Sequence, residues 1–263
     1  MNFILIIALF LTYVFGGISA SFIYHRILTH KVIALKPWFE KTMVILALPA
    51  GTPVQWVGTH RKHHLFTDVE GDPHSPFIFG FWYAHCGWYI STKNKFICIF
   101  YSLLGPLRML FDGYWRPRHR LEYNHLAKDI SNNNFYNKIS KPNNYMLALW
   151  LYCCILCIFF YSLAGINGII ALWIILIVIY NLGDAVNSIA HTYGKGLQQS
   201  VQAKNNSLLS RFTFGEGFHA NHHLNPHLIF PNEHQQISLS RFILFTWKSL
   251  GLIQTNVSNN FKK

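Results

Sequence analysis

Three long apolar runs dominate the pattern of hydrophobic and polar positions along the chain. They cover residues 3–24, 145–164 and 169–190 and contain no lysine or arginine. Each run is close to the roughly 20 residues with which a helix crosses the hydrocarbon core of a bilayer. The last two runs are joined by the short uncharged link Gly165–Gly168, which predicts a tight hairpin on the far side of the membrane.

A fourth apolar run, residues 42–57, is interrupted by Pro49, Gly51 and Pro53. It is shorter than the roughly 20 residues of a spanning helix, and its prolines remove backbone hydrogen bonds that a span in lipid needs. We therefore expect a re-entrant or interfacial helical segment that is buried against the rest of the protein.

The basic residues fall into three blocks that the apolar runs separate. The chain has 22 Lys and Arg against 10 Asp and Glu, a net charge of +12, and the blocks are Arg26–Lys41, Arg61–Lys141 and Lys195–Lys263. With three spans, all the blocks lie on one face of the membrane, and the positive-inside rule makes that face cytoplasmic. Because the charge follows the membrane topology, it does not indicate a nucleic-acid partner.

The composition agrees with a membrane protein, since only 12% of the residues are charged and 51% are hydrophobic. The predicted fold class is an all-α integral membrane protein with three transmembrane helices, the re-entrant segment and a cytoplasmic helical cap. The cap is the polar block 195–263, with a helix near Gln235–Leu252. A single domain, residues 1–255, is expected to precede a flexible tail, residues 256–263.

Histidine is unusually frequent, and most of its positions are clustered. The 15 histidines outnumber the 10 carboxylates. Two clusters have the spacing i, i+3, i+4, which places three imidazoles on one face of a helix. A third cluster has two histidines five residues apart, a spacing that needs a helix end or an offset geometry. The clusters, together with one histidine that ends the last apolar run, are His60, His63 and His64; His219, His222 and His223; His25 and His30; and His191.

These nine histidines lie at or just beyond the predicted cytoplasmic ends of the apolar runs, so the fold can bring them together. One metal ion cannot use nine imidazoles, whereas two ions with four or five ligands each can. Cys153, Cys154 and Cys157 lie in the middle of a predicted span, and imidazoles without thiolates favour iron, zinc or copper. The histidines interpreted as structural or surface residues are His119, His125, His227 and His234.

The order of these motifs resembles that of the integral-membrane fatty acid desaturases. The motifs are HRILTH (25–30), HRKHH (60–64), GDPHS (71–75), NSIAH (187–191) and GEGFHANHH (215–223). In combination they are most similar to the bacterial and cyanobacterial Δ9-type enzymes and, more distantly, to the animal stearoyl-CoA desaturases. The resemblance covers about residues 15–255.

The resemblance implies two iron ions held by the nine clustered histidines, with Asn187 as a tenth ligand through water. It implies that two hydrogens are removed from adjacent carbons of a saturated fatty acyl chain while O2, the co-substrate, is reduced to water. Two electrons come from a separate donor protein, a ferredoxin or a b-type cytochrome. An unactivated C–H bond has no acidic proton, so a redox cofactor has to break it.

Several polar residues beside the motifs are candidates for supporting the metal ligands. Metal-bound imidazoles usually donate their other N–H to a carboxylate or a carbonyl. Asp184 lies within the last apolar run, where a carboxylate is costly and tends to be functional. The candidate supporting residues are Asp68, Asp72, His74, Asp184 and Glu216.

An apolar tunnel is expected to receive the acyl chain. By resemblance, its closed end lies on the first span, so Leu9 and Tyr13 are candidate length-setting residues, and Trp56 is a further candidate lining residue. The animal acyl-CoA enzymes carry an Arg-Asp pair just before the second histidine motif, whereas this chain has Gly58 and Thr59. Both an acyl-CoA and an acyl-lipid carrier therefore stay open.

The basic residues Arg116, Arg118 and Arg120 are expected to dock an acidic electron donor or to bind anionic lipid headgroups. Relative to the four-span animal enzymes, the chain starts at what would be their second span. The bacterial inner membrane is the expected location, with the metal site facing the cytoplasm. The alternative function is a hydroxylase or ketolase on the same scaffold. A metal transporter is disfavoured because the histidines cluster on one face.

Overall fold

The fold is taken from a computed structural model, which describes residues 3–198, 202–230 and 239–254. These residues form helices and connecting segments, and the only β pairing among them consists of isolated bridges such as Leu35 with Ile253. His234, the predicted tail and the start of the predicted helix at Gln235–Leu252 lie outside the described residues.

The first part of the chain is built from one long helix and several short ones. Helix α1 continues directly into a π-helix, in which each N–H bonds to the carbonyl five residues earlier. The α-helices are α1 Phe3–Ile18, α2 Pro37–Ala47, α3 Pro53–Leu65, α4 Pro76–Phe79, α5 Lys95–Ser102 and α6 Leu107–Trp115. The other helical segments are the π-helices Ser19–Thr29 and Tyr83–Gly87 and the 3₁₀-helices Leu48–Ala50 and Arg116–Arg118.

The second part of the chain contains the longest helical element. Its segments are the 3₁₀-helix Asn124–Ala127 and the helices α7 Lys128–Ser131, α8 Asn134–Ser140, α9 Pro142–Thr192, α10 Ser207–Phe212, α11 His219–Leu224 and α12 Leu239–Ser249. Among the described residues, two helical stretches are individually long and apolar enough to cross a membrane, Phe3–Thr29 and Pro142–Thr192.

Helix α9 is not straight. Its 51 residues would extend about 77 Å as one continuous helix, more than twice the roughly 30 Å of a bilayer core. The helical backbone breaks at Ala164 and Gly165, and Gly165 has a φ of 56°. A Cβ on Gly168 would overlap the carbonyl oxygen of Phe160, eight residues earlier. The chain therefore folds back at this break, which includes Gly165, the first residue of the predicted link, and α9 consists of two arms.

The apolar run at residues 42–57 forms parts of two helices. Helix α2 ends at Ala47, and α3 begins at Pro53. The side chain of Thr52 accepts a hydrogen bond from the Gln55 N–H at 3.2 Å, and proline at the first helical position needs no donor. The break between the helices therefore follows directly from the local sequence.

One apolar element was not predicted from the sequence. It is a pair of helical segments, Lys95–Ser102 and Leu107–Arg118, with an angle of 119° between them. Taken together, the pair is long and apolar enough to be a broken membrane span or a re-entrant loop. The charged residues Arg108 and Asp112 interrupt the apolar pattern, but both are buried. The indole N–H of Trp150 on α9 donates to the Leu110 carbonyl at 3.0 Å and helps to hold this pair against α9.

Candidate metal centre

The first histidine motif lies at the end of the π-helix. Because a π-helix closes its hydrogen bonds between residues five apart, His25 and His30 lie almost above one another. The His30 N–H donates to the His25 carbonyl at 3.2 Å, and the two ring centres are 5.0 Å apart. The five-residue spacing, which does not suit an α-helix, is thus accommodated by a change of helix type.

The other two motifs are helical, as their spacing predicts, but each divides its histidines between two places. On α3, the side chains of His60 and His64 belong to one group of histidines, and the side chain of His63 belongs to another. On α11, the side chains of His219 and His223 are in the same group as His63, whereas that of His222 is in the group that contains His60 and His64. Each helix therefore contributes an i, i+4 pair to one group and its middle histidine to the other.

The nine clustered histidines form two groups, and within each group the potential ligand atoms lie within 4.8 Å of one another. The first histidine group comprises His25, His30, His60, His64 and His222. The second histidine group comprises His63, His191, His219 and His223. This division agrees with the predicted two ions with four or five ligands each.

The spacing of the ring nitrogens suits metal ligands. In the first histidine group, Nε2 of His222 lies 2.8 Å from Nε2 of His25 and 3.0 Å from Nε2 of His64. In the second, Nε2 of His223 lies 3.1 Å from Nε2 of His219. Two nitrogens bound at about 2.1 Å and subtending a right angle would be about 3.0 Å apart. The observed spacings match this value.

The protonation of the rings also suits metal binding. Burial, together with neighbouring histidines, holds the pKa of His64, His219 and His223 well below the usual range, and burial lowers that of His30 to about 2. These imidazoles are therefore neutral and retain a lone pair. The Nε2 of His191 is buried and has no hydrogen-bond partner among the described residues, as expected for a nitrogen that a metal ion would occupy.

Three carboxylates each contact the other ring nitrogen of one clustered histidine. Glu216 lies 2.7 Å from Nδ1 of His25. In the second histidine group, Asp72 lies 2.9 Å from Nδ1 of His63 and Asp68 lies 2.6 Å from Nδ1 of His191. Such contacts orient a metal-binding imidazole and leave its Nε2 lone pair facing the metal.

The surroundings keep these carboxylates ionised. Burial by itself would raise the pKa of Glu216, but Arg26 and His25 lower it to about 2. Burial likewise opposes ionisation of Asp72, but His63 and His74 hold its pKa well below the usual range. The histidine groups therefore lie beside buried negative charges, which favour bound cations.

Two other candidate supporting residues have different roles from these carboxylates. His74 stacks on His63 with ring centres 4.5 Å apart, and its backbone N–H donates to Asp72. Within the part of the chain that the structure describes, the carboxylate of Asp184 pairs with residues other than the clustered histidines, which differs from the prediction. Its carboxylate accepts hydrogen bonds from Arg108 at 2.8 Å and from the Tyr89 hydroxyl at 2.7 Å. Arg108 is itself buried, so the pairing of the two charges accounts for the position of Asp184.

A largely apolar cavity of about 190 Å³ reaches both histidine groups, and His60 and His219 form part of its wall. Tyr13, Trp56 and Asn187 also line it. The predicted length-setting residue Leu9 does not line the cavity. It lies one turn beyond Tyr13 and packs into an apolar cluster with residues of α9.

Of the three arginines that were predicted to form a basic surface, one is buried and two are partly exposed. Arg116 is 4% exposed, lines the cavity and lies 3.2 Å from a carboxylate oxygen of Asp112, so it is not available for docking as predicted. Arg118 and Arg120 are partly exposed. Among the histidines outside the two groups, His125 and His227 are exposed.

Arg61, between the histidines of the second motif, is a residue whose role the sequence did not indicate. Its guanidinium donates to the Leu28 and Thr29 carbonyls at 3.3 and 3.2 Å, at the end of the π-helix. It also bonds to Asp129 at 2.6 Å, and Lys31 reaches the same carboxylate at 2.6 Å. These contacts tie α3 to the π-helix and so hold the first two motifs together.

The chain resembles known proteins in sequence over most of its length. The model of a family described as fatty acid desaturase matches residues 2–235. The Delta-9 desaturase-like 5 protein of Arabidopsis thaliana is 31% identical over 218 residues, which are 81% of this chain and 63% of that protein. This chain therefore spans less than two thirds of that relative's length.

Two cyanobacterial proteins are similar over a larger share of their own length. The sn-1 stearoyl-lipid 9-desaturase of Anabaena variabilis is 28% identical over 221 residues, 82% of this chain and 70% of that protein. The sn-2 palmitoyl-lipid 9-desaturase of Nostoc sp. (strain 36) is 30% identical over 257 residues, 94% of this chain and 76% of that protein.

Proposed function

Because this chain belongs to the fatty acid desaturase family, we propose that it is an O2-dependent di-iron desaturase that introduces a double bond, at the Δ9 position, into a saturated fatty acyl chain. The observation that carries the proposal is the division of nine histidines into groups of five and four beside one apolar cavity. Two iron ions bound there would supply the oxidising chemistry that an unactivated C–H bond requires.

In this proposal the first histidine group holds one iron and the second holds the other, with Asn187 contributing through water. Glu216, Asp68 and Asp72 orient His25, His191 and His63 by accepting hydrogen bonds from their Nδ1–H groups. The carboxylates also balance part of the positive charge of the ions. The protein's own contribution is thus to fix the ligand nitrogens, to keep the imidazoles neutral and to exclude bulk water.

The cavity positions the acyl chain. Its walls are mostly apolar, and they include His60, His219 and Tyr13 of α1. An extended acyl chain in this cavity would lie with its middle carbons beside the two histidine groups. Tyr13 lines this cavity, and its hydroxyl donates to the Phe212 carbonyl at 2.5 Å, so we propose that its ring limits the length of the chain.

We propose an acyl-lipid as the carrier of the acyl chain. The cyanobacterial relatives are named as stearoyl-lipid and palmitoyl-lipid desaturases. Gly58 stands where the animal acyl-CoA enzymes carry arginine, and a Cβ there would overlap the Tyr123 carbonyl. The close approach of backbone at this position therefore excludes the larger side chain that a CoA headgroup would contact.

We also propose three membrane spans, formed by α1 with its π-helix and by the two arms of α9. Three spans leave the lysine and arginine blocks and both histidine groups on one side, which the positive-inside rule makes cytoplasmic. In a bacterium this would be the inner membrane. Two electrons per double bond would then come from a separate cytoplasmic-side donor, a ferredoxin or a b-type cytochrome.

The experiment is expression of the chain in a bacterial host whose lipids lack Δ9 double bonds, followed by gas chromatography–mass spectrometry with double-bond localisation. We expect new Δ9 unsaturated chains with the wild-type sequence and none with His63→Ala or His222→Ala. The control His125→Ala removes an exposed histidine outside both groups and should leave the products unchanged.

Two outcomes would contradict the proposal. Hydroxylated or oxo lipids without new double bonds would identify a hydroxylase or ketolase on the same scaffold. Full activity of His63→Ala, with the protein inserted and folded, would show that the second histidine group does not hold a required metal ion.

A further inference from the structure

A small side pocket, which we call the annex, lies beside the main cavity and shares part of its wall. It shares Trp56, Thr59, Trp88 and Arg116 with that cavity and is lined further by Arg120. Its volume is about 10 Å³, close to the roughly 10–15 Å³ that one water molecule requires. The annex is therefore too small for a lipid headgroup and large enough for a single water.

Two buried donors face the annex without a partner. Thr59 is 2% exposed and Trp88 is 9% exposed. Neither the Thr59 hydroxyl nor the Trp88 indole N–H has a hydrogen-bond partner among the described residues. A buried polar group without a partner is costly, and a buried water normally makes two to four hydrogen bonds. One water held by both side chains would satisfy the two donors together.

The annex lies between the histidine groups and the protein surface. On the inner side, Thr59 precedes His60, and the Trp88 ring lies 5.0 Å from the ring of His74, which stacks on His63. On the outer side, Arg120 pairs with Glu122 at 3.2 Å, and the Glu122 side chain is 51% exposed. The lining of the annex thus includes a neighbour of the second histidine motif, Thr59, and a residue paired with an exposed carboxylate, Arg120.

The proposed reaction requires a path for protons and water. Conversion of –CH2–CH2– to –CH=CH– takes up one O2, two electrons from the donor protein and two protons, and it releases two water molecules. An acyl chain that fills the main cavity blocks that cavity to water. Protons must then enter, and product water must leave, by another route.

We propose that the annex holds an ordered water molecule between the Thr59 hydroxyl and the Trp88 indole N–H. This water and the Thr59 hydroxyl carry protons toward the histidine groups, and the water exchanges with solvent past Arg120, so that product water leaves by the same path. The proposal rests on the proposed function for the reaction itself. The water site can be tested separately from it.

The test uses Thr59→Val and Trp88→Phe, each of which removes one donor with little change of shape. The controls are Thr42→Val and Trp38→Phe, because both residues are partly or largely exposed on α2 and line neither pocket. High-resolution structures of the purified iron-loaded proteins give the water occupancy. The ratio of turnover in H2O to turnover in D2O, the solvent isotope effect, shows whether proton transfer limits the reaction. The number of double bonds formed per O2 consumed, the coupling ratio, shows how much O2 is used productively.

We expect density for a water between Thr59 and Trp88 in the wild type and its loss in either annex variant. Turnover should fall roughly 3- to 10-fold, the factor that corresponds to one neutral hydrogen bond. The solvent isotope effect should rise, and fewer double bonds should form per O2, while the iron content stays at the wild-type level.

A dry annex in the wild type would overturn the proposal. The proposal would also be overturned if Thr59→Val and Trp88→Phe gave the same solvent isotope effect, and the same number of double bonds per O2, as Thr42→Val and Trp38→Phe. If the wild type binds the water but forms no double bond, the proposed function fails, and the assignment of the annex as a route for that reaction fails with it.

Discussion

Replacement of Asp72 by asparagine tests the carboxylate support of the second histidine group. Asp72 accepts a hydrogen bond from Nδ1–H of His63 at 2.9 Å. It also accepts hydrogen bonds from the backbone N–H groups of Asp68 at 2.7 Å and His74 at 2.9 Å. Asparagine has almost the same shape, but it has no charge and only one acceptor oxygen. In one orientation its NH2 group would face the N–H of His63, which is unfavourable.

The expected effect is a weaker metal site rather than an unfolded protein. Loss of such a supporting partner typically lowers metal affinity by about 10- to 100-fold. Because Asp72 is buried and serves three donors at once, we expect the upper end of that range, about 2.8 kcal/mol in binding free energy. The loss should be confined to the second histidine group, since Asp72 contacts no ring of the first.

The assay is a titration of the metal-free protein in detergent with Fe(II), in competition with a chelator and with iron counted per chain. At limiting iron, Asp72→Asn should retain one ion where the wild type retains two. The matched control is Glu70→Gln, which removes an exposed carboxylate from the same loop. Two ions bound by Asp72→Asn with wild-type affinity would refute the reasoning, and so would an equal loss from Glu70→Gln.

Four other predictions follow from the structure. His191→Ala should leave the protein inserted but lower its iron content by about one ion per chain, measured by mass spectrometry, because it removes one of the four imidazoles of the second histidine group. Arg61→Ala should lower the thermal midpoint by several degrees in a detergent melting assay, whereas Arg61→Lys should keep part of the stability through its remaining charge. Tyr13→Ala should shift the products toward longer acyl chains on gas chromatography, since it enlarges the cavity wall; an unchanged chain-length profile would exclude Tyr13 as a length-setting residue. The pKa of Glu216 is lowered to about 2, so its contribution to the stability of the metal-free protein is complete above about pH 4.5 and is lost as the pH falls toward 2; chemical denaturation across this range should show a slope that Glu216→Gln removes.

The type of fold and most of the residues of the candidate metal centre could be predicted from sequence because they depend on local spacing. Long runs without charge indicate helices in lipid, and the spacing i, i+3, i+4 places imidazoles on one side of α3 and α11. Candidate carboxylates such as Asp72 and Glu216 could be chosen because they are next to the histidine motifs in the chain.

Other features were missed because they depend on residues that are distant in sequence. The sequence alone does not show that His63 separates from His60 and His64, since that depends on how α3 meets α11. Asp184 lies on the helix face that leads to His191, yet Arg108, 76 residues earlier, pairs with it. Leu9 and Tyr13 are one turn apart on α1. Of these two, Tyr13 lines the cavity, whereas Leu9 packs against residues of α9, and this difference depends on how α9 packs against α1.

By itself, the sequence determined which residues are apolar enough for lipid, which side chains can bind metal, and where prolines and glycines end a helix. Those properties belong to single residues and their near neighbours. Only the tertiary structure decided that nine imidazoles divide into groups of five and four, that the π-helix aligns His25 with His30, and that Thr59 and Trp88 share one small pocket. The physical reason is that coordination and hydrogen bonding act over about 3 Å, and only folding brings distant parts of the chain within that range.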